Sequence, residues 1–275
     1  MSKLAEICRP YDAFIIDLWG VIHDGTALYP GAKEALASLA PKPVVFLSNA
    51  PRRSYKVEAV LDGYDIPRAH YQRIITSGEI AFEMLESRIT NHESRYYYLG
   101  PSKDEDILSD LPHYKNTALE EAEFVLNTGY EYDFQPHEEV KPTLQKLLVR
   151  RLPLWCINPD YEVVKQDGTH MLCAGALAQE YARMGGEVMF IGKPHANAYD
   201  AAKKHLAGAA KILMIGDNPE TDIAGAKAAN IDALLITGGV LKARHGKRLS
   251  EEEARSISPD VSHIFPAFSI EQGLF

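Results

Sequence analysis

The sequence predicts an α/β fold: a Rossmann-like, doubly wound parallel sheet that carries a smaller, inserted α/β cap domain. Two observations lead to this prediction. Short, almost wholly apolar runs alternate with helix-like stretches, a pattern typical of buried parallel strands joined by crossover helices. That alternation stops between residues 87 and 186, a stretch far too long for an ordinary connection between two core strands.

Each predicted core strand is followed by a polar or glycine-containing loop. These strands are Ala13–Asp17, Val44–Leu47, Glu187–Ile191, Ile212–Ile215 and Ala233–Ile236. The predicted crossover helices are Gly31–Ala40, Ser54–Leu61, Asn197–Leu206 and Asp222–Ala229. Pro30 stands where the first helix would begin, and Gly63 lies just beyond the second, as helix starts and stops require.

The interrupting stretch has elements of its own. New strands are predicted at Arg95–Leu99, Phe124–Asn127 and Leu154–Ile157. A helix is predicted at Thr169–Met184, ended by the two glycines that follow it. We therefore expect residues 1–86 and 187–275 to form the two parts of the core, and residues 87–186 to form the cap.

Charge and composition limit the classes of ligand and of location. The chain has 29 Lys and Arg against 38 Asp and Glu, a net charge of −9, so we expect no nucleic-acid partner. The sequence has no signal-peptide segment and no apolar run of membrane-spanning length, which predicts a cytoplasmic protein without a membrane partner. Three scattered cysteines, at positions 8, 156 and 173, suit neither a disulfide framework nor a zinc site.

Polar residues follow four of the predicted core strands, where ligands of open parallel sheets gather. They are Asp17, Ser48 with Asn49, Lys193 and Asp217. This set suits a phosphate ester. A carboxylate such as Asp17 can act as a nucleophile, and two carboxylates can hold Mg²⁺ together with a substrate phosphate. A hydroxyl, a backbone N–H and an ammonium group would bind and neutralise the phosphoryl oxygens.

The same residues carry a resemblance to a known family. The segments DLWGV from Asp17, SN from Ser48, GKP from Gly192 and GDNPETDI from Gly216 resemble, in order, the four motifs of the haloacid dehalogenase (HAD) superfamily. The resemblance is closest to the phosphatases of subfamily IIA, in which an α/β cap is inserted between the second and third motifs. It extends over nearly the whole chain.

The resemblance implies a role for each matching residue. Asp17 would be the nucleophile and a Mg²⁺ ligand, and residue 19, which is Trp19, would offer its backbone carbonyl to the metal. Asp217 would complete the protein ligands of the metal, and Asp222 would support the site. Ser48, Asn49 and Lys193 would bind phosphate. A homodimer is possible by the same analogy.

The cap selects the substrate in this branch of the superfamily. Asn158 and Asp160 of the segment Asn-Pro-Asp are therefore expected to contact the substrate. Ordinary turn chemistry also explains such a segment. The partner would be a small phosphorylated metabolite, such as a sugar phosphate or a nucleotide-like compound, hydrolysed with Mg²⁺ through a phospho-Asp17 intermediate.

One position departs from the family pattern. Phosphatases of this superfamily usually carry a second aspartate two residues after the nucleophile as general acid and base, and this chain has Trp19 there. General acid–base catalysis contributes roughly 10²–10⁴-fold. Three interpretations stay open: a substrate with a good leaving group, another proton donor such as the nearby His23 or Asp24, or a slow enzyme that has become a phospho-metabolite binding protein.

Overall fold

The computed structural model describes residues 3–89, 93–165 and 167–265. The strands are β1 (Ala13–Ile16), β2 (Val44–Ser48), β3 (Arg73–Thr76), β4 (Ser94–Leu99), β5 (Tyr114–Asn116), β6 (Phe124–Asn127), β7 (Leu154–Cys156), β8 (Glu162–Val164), β9 (His170–Leu172), β10 (Val188–Phe190), β11 (Ile212–Gly216), β12 (Asp232–Ile236) and β13 (His263–Phe265). The α-helices are α1 (Lys3–Cys8), α2 (Ala32–Leu39), α3 (Ser54–Gly63), α4 (Ser77–Glu86), α5 (His137–Val149), α6 (Ala174–Arg183), α7 (Ala196–Lys204), α8 (Ala224–Ala228), α9 (Val240–His245) and α10 (Glu251–Ile257). Short 3₁₀ turns lie at Arg68–His70, Ser102–Leu108 and Leu119–Glu121, and a π-helical turn lies at Pro219–Ile223.

The larger sheet has six strands in the order β13-β12-β11-β1-β2-β3, and every neighbouring pair is parallel. Strand β1 is buried along its whole length. Its alternate residues enter two different apolar clusters, Ala13 and Ile15 on one face, and Phe14 and Ile16 on the other. Both faces of the sheet are therefore covered, which confirms the prediction of a doubly wound α/β fold.

The strand order reverses direction at β1. The chain proceeds from β1 through β2 to β3 on one side, whereas β11, β12 and β13 extend the sheet on the other. A crevice opens beyond the carboxyl ends of the strands at such a switch point. Asp17 is the first residue after β1 and therefore stands at that crevice.

A second parallel sheet has the order β10-β7-β6-β4-β5. Helices α5 and α6 pack on it through a separate apolar cluster that includes Leu144 and Leu177. Strands β8 and β9 form an antiparallel hairpin outside both sheets. The three strands predicted for the interrupting stretch are present as β4, β6 and β7.

Two predicted elements differ from the structure. The run Glu187–Ile191 is not a core strand, because its central residues form β10 and pair with β7 of the second sheet. An apolar run does not encode which sheet it joins. The helix predicted at Thr169–Met184 begins only at Ala174, since residues 170–172 belong to the hairpin. The domain boundaries at 1–86, 87–186 and 187–275 stay predictions.

Strands β3 and β13 were not predicted, although both extend the larger sheet. Each is only three or four residues long and lies at an edge of the sheet. None of the helices in the described part of the chain has the length and apolar character that a membrane crossing requires.

Candidate active site

Lys193 lies at the centre of a cluster of buried charges. Its Nζ atom is 2.5 Å from Oδ1 of Asp17 and 2.6 Å from Oδ1 of Asp222. All three side chains are almost inaccessible to solvent. Burial alone would lower the pKa of Lys193, but the two carboxylates raise it well above its usual range, so the ammonium group stays charged. The three residues come from the loops that follow β10, β1 and β11.

A third carboxylate, Asp217, stands beside this group directly after β11. Its Oδ2 atom accepts a 2.6 Å hydrogen bond from the backbone N–H of Val240. Two glycines allow the backbone to come this close, because a Cβ on Gly20 would lie 2.1 Å from Asp217 Oδ2 and one on Gly239 would lie 1.8 Å from it. Gly20 also has a φ of 91°, which favours glycine. The peptide bond between Trp19 and Gly20 therefore lies next to Asp217.

Asp222 orients the loop that carries Asp217. Its Oδ2 atom accepts hydrogen bonds of 3.1 Å from the backbone N–H groups of both Asp217 and Asn218. The backbone of Asp222 is held in turn by the buried hydroxyl of Tyr199, which donates to its carbonyl at 2.8 Å. Both carboxylate oxygens of Asp222 are thus occupied, one by Lys193 and one by the loop.

The three carboxylates fit a divalent cation. One oxygen each from Asp17, Asp217 and Asp222 lie within 4.8 Å of one another. Burial, followed by the neighbouring carboxylates, raises the pKa of Asp17 well above its ordinary value and raises the pKa of Asp217 to about 7. With all three ionised, Lys193 alone would leave negative charge unbalanced in a buried site. Carboxylate oxygens with an excess of negative charge are the donors that Mg²⁺ prefers.

Asn49 connects this cluster to the loop after β7. Its side-chain oxygen accepts a 2.7 Å hydrogen bond from the N–H of Lys193, and its Nδ2 atom donates to the Lys193 carbonyl at 3.1 Å. The same Nδ2 atom donates to Oδ1 of Asp160 at 2.9 Å. The neighbouring Ser48 hydroxyl accepts a 3.2 Å bond from the N–H of Ala50, so its own O–H can donate to an oxygen in the cavity.

A cavity of about 630 Å³ covers the cluster, a size that suits a small organic ligand. All nine residues that the sequence selected for the site line it, namely Asp17, Trp19, Ser48, Asn49, Asn158, Asp160, Lys193, Asp217 and Asp222. The structure therefore brings them together, although their individual roles stay predictions.

The side chain of Trp19 reaches from the larger sheet to the β8–β9 hairpin. Its indole Nε1 donates a 3.1 Å hydrogen bond to the carbonyl of Val164. A Cβ on Gly25 would stand 2.6 Å from the indole ring, so the loop after β1 also packs against Trp19. A second link to the hairpin comes from Arg244 of α9, whose Nε atom lies 3.6 Å from Glu162.

Two proton donors suggested by sequence proximity have other partners. His23 accepts a 2.9 Å bond from the N–H of Gly25 at Nδ1, and burial lowers its pKa to about 4, so its ring is neutral near pH 7. Asp24 is buried, and its Oδ1 accepts bonds from the N–H and hydroxyl of Thr26 and from the N–H of Ala27. Asp24 shapes the loop as an Asx turn.

Two cavity walls contain none of the nine selected site residues. One is the hairpin, which contributes Val163, Met171 and Leu172, and the other is the segment before α5, which contributes Tyr130 and Phe134 among others. The hairpin had a signal: the pair Asp167-Gly168 between two short apolar runs is a common turn in hairpins. The segment before α5 has no periodic pattern that marks it as part of a site.

Comparison with known proteins identifies the family. A model of haloacid dehalogenase-like hydrolases matches residues 14–112, and a HAD-hydrolase-like model matches residues 190–264. A solved haloacid dehalogenase-like hydrolase from Brucella suis 1330 is 30% identical, has a TM-score of 0.83, and aligns over 96% of this chain and 98% of that one. The chain belongs to the haloacid dehalogenase-like hydrolases.

Two curated relatives of this hydrolase are named phosphatases or nucleotidases. The dihydroxyacetone phosphatase of Corynebacterium glutamicum (strain R) is 27% identical over 83% of this chain and 82% of its own length. The 5'-nucleotidase YutF of Bacillus subtilis (strain 168) is 26% identical over 86% of this chain and 91% of its own length. The predictions of this superfamily and of a phosphoric monoester hydrolase are therefore confirmed.

The substitution Gly239→Ala tests the close approach to Asp217. The added methyl group would stand 1.8 Å from Asp217 Oδ2 and 2.7 Å from the Gly20 carbonyl oxygen, so Asp217 must move. Because displacements of about 1 Å in a catalytic site cost about 100-fold in rate, we expect a loss of that order in hydrolysis of p-nitrophenyl phosphate. Gly63→Ala is the control, since a Cβ there meets no atom within 4 Å. Equal activities for the two variants would contradict the geometry.

The substitution Trp19→Phe tests the contact with the hairpin. Phenylalanine keeps an aromatic ring but cannot donate to the Val164 carbonyl, a bond whose net contribution is about 0.5–1.5 kcal/mol. We expect amide hydrogen exchange in β8 and β9 to become about 2- to 10-fold faster, with β4 and β6 of the same protein as the internal reference. Unchanged exchange in the hairpin would mean that the indole does not hold it.

Proposed function

We propose that this hydrolase removes phosphate from a small organic phosphate monoester through a phospho-Asp17 intermediate, with Mg²⁺ as its cofactor. The observation that carries the proposal is the buried contact of Asp17 with Lys193 at the floor of the cavity, beside Asp217 and Asp222. Phosphoryl transfer depends mainly on positioning and on compensation of charge, and this cluster offers both.

Asp17 is the best placed nucleophile. It follows the central strand of the larger sheet, lies at the switch point, and lines the cavity. Its Oδ1 atom is held by Lys193, so the orientation of the carboxylate is fixed, and no hydrogen bond within the described residues occupies Oδ2. The Oδ2 atom can therefore attack phosphorus while the ammonium group of Lys193 compensates the charge of the carboxylate and of the phosphoryl oxygens.

Asp17 and Asp217 are the proposed side-chain ligands of the metal, together with the backbone carbonyl of Trp19. Asp222 supports them, since both of its oxygens are taken by Lys193 and by the loop that carries Asp217. The close packing of Gly20 on Asp217 supports the role of the Trp19 carbonyl, which belongs to the same peptide bond. When bound, Mg²⁺ would supply the positive charge that keeps the carboxylates ionised and neutralises the phosphate.

The phosphate and the rest of the substrate would occupy different parts of the cavity. Ser48, the N–H of Asn49 and Lys193 would bind the phosphoryl oxygens, because all three stand beside Asp17. Asn158 and Asp160 would face the organic group. The relatives named for dihydroxyacetone phosphate and for 5'-nucleotides suggest a sugar phosphate or a nucleotide-like compound as the substrate.

The test compares the wild-type protein with Asp17→Asn in the release of p-nitrophenol from p-nitrophenyl phosphate. This substrate has a good leaving group and needs little help from a general acid. We expect release that depends on added Mg²⁺, disappears with EDTA, and falls by at least about 10⁴-fold in Asp17→Asn, as the loss of a nucleophile does in other enzymes.

Asp65→Asn is the matched control. Asp65 is 93% exposed at its side chain, and its positive φ of 54° is tolerated by asparagine, so this variant should keep wild-type activity. Activity that survives Asp17→Asn, or that is indifferent to the metal, would contradict the proposed mechanism. A folded wild-type protein without any turnover would instead support the phospho-metabolite binding protein.

A further inference from the structure

Release of an alcohol from a phosphate monoester requires a proton on the leaving oxygen. Trp19, two residues after the nucleophile Asp17, cannot give this proton. The indole N–H of Trp19 is a very weak acid, and it is already donated to the Val164 carbonyl. A neutral imidazole is a very weak acid, which excludes His23, and Asp24 is buried and is not among the residues that line the cavity. The donor must therefore come from elsewhere in the cavity.

Most other carboxyl groups of the cavity are bound to cations. Asp104 lies 3.2 Å from Nε of Arg52, Asp133 lies 3.8 Å from Nζ of Lys103, and Glu162 lies 3.6 Å from Nε of Arg244. Burial raises the pKa of Asp104, but both of its carboxylate oxygens contact Arg52, at 3.2 and 3.4 Å, so neither is free to reach a substrate. The aspartates of the charged cluster are engaged with Lys193 or reserved for nucleophilic attack and the metal.

Asp160 differs from these groups in its partners. Its Oδ1 atom accepts a bond from the neutral amide of Asn49, and no ion pair within the described residues involves it. Asn49 also holds the backbone of Lys193, whose ammonium group contacts Asp17, so Asp160 is two hydrogen-bonded residues away from the nucleophile. It lines the cavity from the loop after β7.

The position of Asp160 is fixed by its backbone. Its N–H donates to the side-chain oxygen of Asn158 at 3.2 Å, and its carbonyl accepts a 3.1 Å bond from the N–H of Gly175 at the start of α6. A Cβ on Gly175 would stand 2.4 Å from that carbonyl, so the helix end packs directly on this turn. The carboxyl group is thus held in place at the cavity wall, and its Oδ2 atom has no hydrogen-bond partner among the described residues.

We propose that Asp160 is the general acid and base of this hydrolase, delivered from the second sheet in place of the carboxylate that Trp19 removes. The proposal rests on the proposed function. In the first step Asp17 Oδ2 bonds to phosphorus, the bond from phosphorus to the leaving oxygen breaks, and that oxygen takes the proton of Asp160. In the second step a water molecule attacks the phosphorus of phospho-Asp17 and gives a proton to the Asp160 carboxylate. The bond from phosphorus to Asp17 Oδ2 breaks, which releases phosphate and restores the Asp17 carboxylate and the protonated Asp160.

The electrostatic surroundings suit this role. Burial raises the pKa of Asp160 to about 6, although the charge of Lys193 and the Asn49 amide oppose that rise. The charge of Asp222 raises the pKa of Asp160 further and that of Arg244 lowers it. Asp217 and the thiols of Cys156 and Cys173 also interact electrostatically with Asp160. A general acid and base works best with a pKa near the operating pH, which is the case here.

The experiment compares two leaving groups in the wild-type protein and in Asp160→Asn. The asparagine keeps the shape of the side chain and can still accept the bond from Asn49. We expect kcat/KM for glycerol 2-phosphate, an alkyl phosphate, to fall roughly 10²–10⁴-fold, and kcat/KM for p-nitrophenyl phosphate to change only several-fold. Circular dichroism and thermal unfolding establish that the variant is folded.

The pH profile adds a readout that a structural role would not move. In the wild-type protein the ratio of the alkyl to the aryl rate should be highest below pH 6 and should fall as the pH rises through about 6. The reason is that only protonated Asp160 can donate a proton to the leaving oxygen. Titration of the charged cluster cancels in this ratio. In Asp160→Asn the ratio should be low and should lose this fall. The titration of the two substrate phosphates is the same for both proteins, so the difference between their profiles reports Asp160.

Asp110→Asn is the matched control, since Asp110 is an exposed carboxylate 3.3 Å from Arg53, does not line the cavity, and should not alter the ratio. An equal loss on both substrates in Asp160→Asn, or an unchanged ratio, would overturn the role of Asp160. A wild-type protein inactive on p-nitrophenyl phosphate would mean instead that the proposed function has failed.

Discussion

The contact of one buried ammonium group with two buried carboxylates is the interaction on which the rest of the site depends. Lys193 lies between Asp17 and Asp222, and each of these three residues follows a different strand. Removing Lys193 would leave the buried carboxylates without their shared cation, which is strongly destabilising. The cluster therefore fixes the relative positions of the loops after β1, β10 and β11, and with them the floor of the cavity.

The loop that follows β10 makes the site depend on both sheets. Because β10 belongs to the second sheet and Lys193 contacts Asp17 after β1, the site is complete only when both sheets contribute. The Trp19 contact with Val164 joins the loop after β1 to the hairpin, and the Asn49 contact with Asp160 joins the loop after β2 to the loop after β7. Trp19 replaces a carboxylate on one side of the site. Its contact with Val164 also holds the other side, from which Asp160 can act.

Much of the fold and of the site could be predicted from the sequence, because both depend on local pattern. Strands β1, β2, β11 and β12 are apolar runs that end at polar residues, so Asp17 and Asp217 could be located by their positions after strands. The partner strand of β10 could not be predicted, since pairing is decided by tertiary packing rather than by composition. Nor could the contact of Trp19 with the hairpin, which joins residues 145 positions apart.

The most direct test of the phospho-Asp17 mechanism is the chemical state of Asp17 during turnover. The protein is mixed with p-nitrophenyl phosphate and Mg²⁺, quenched with acid within milliseconds, digested, and examined by peptide mass spectrometry. The phospho-Asp17 mechanism predicts a phosphorylated peptide in which the modified residue is Asp17, and no phosphorylated peptide from the Asp17→Asn variant. A steady-state hydrolysis with no phosphopeptide, or with phosphate on another residue, would contradict it.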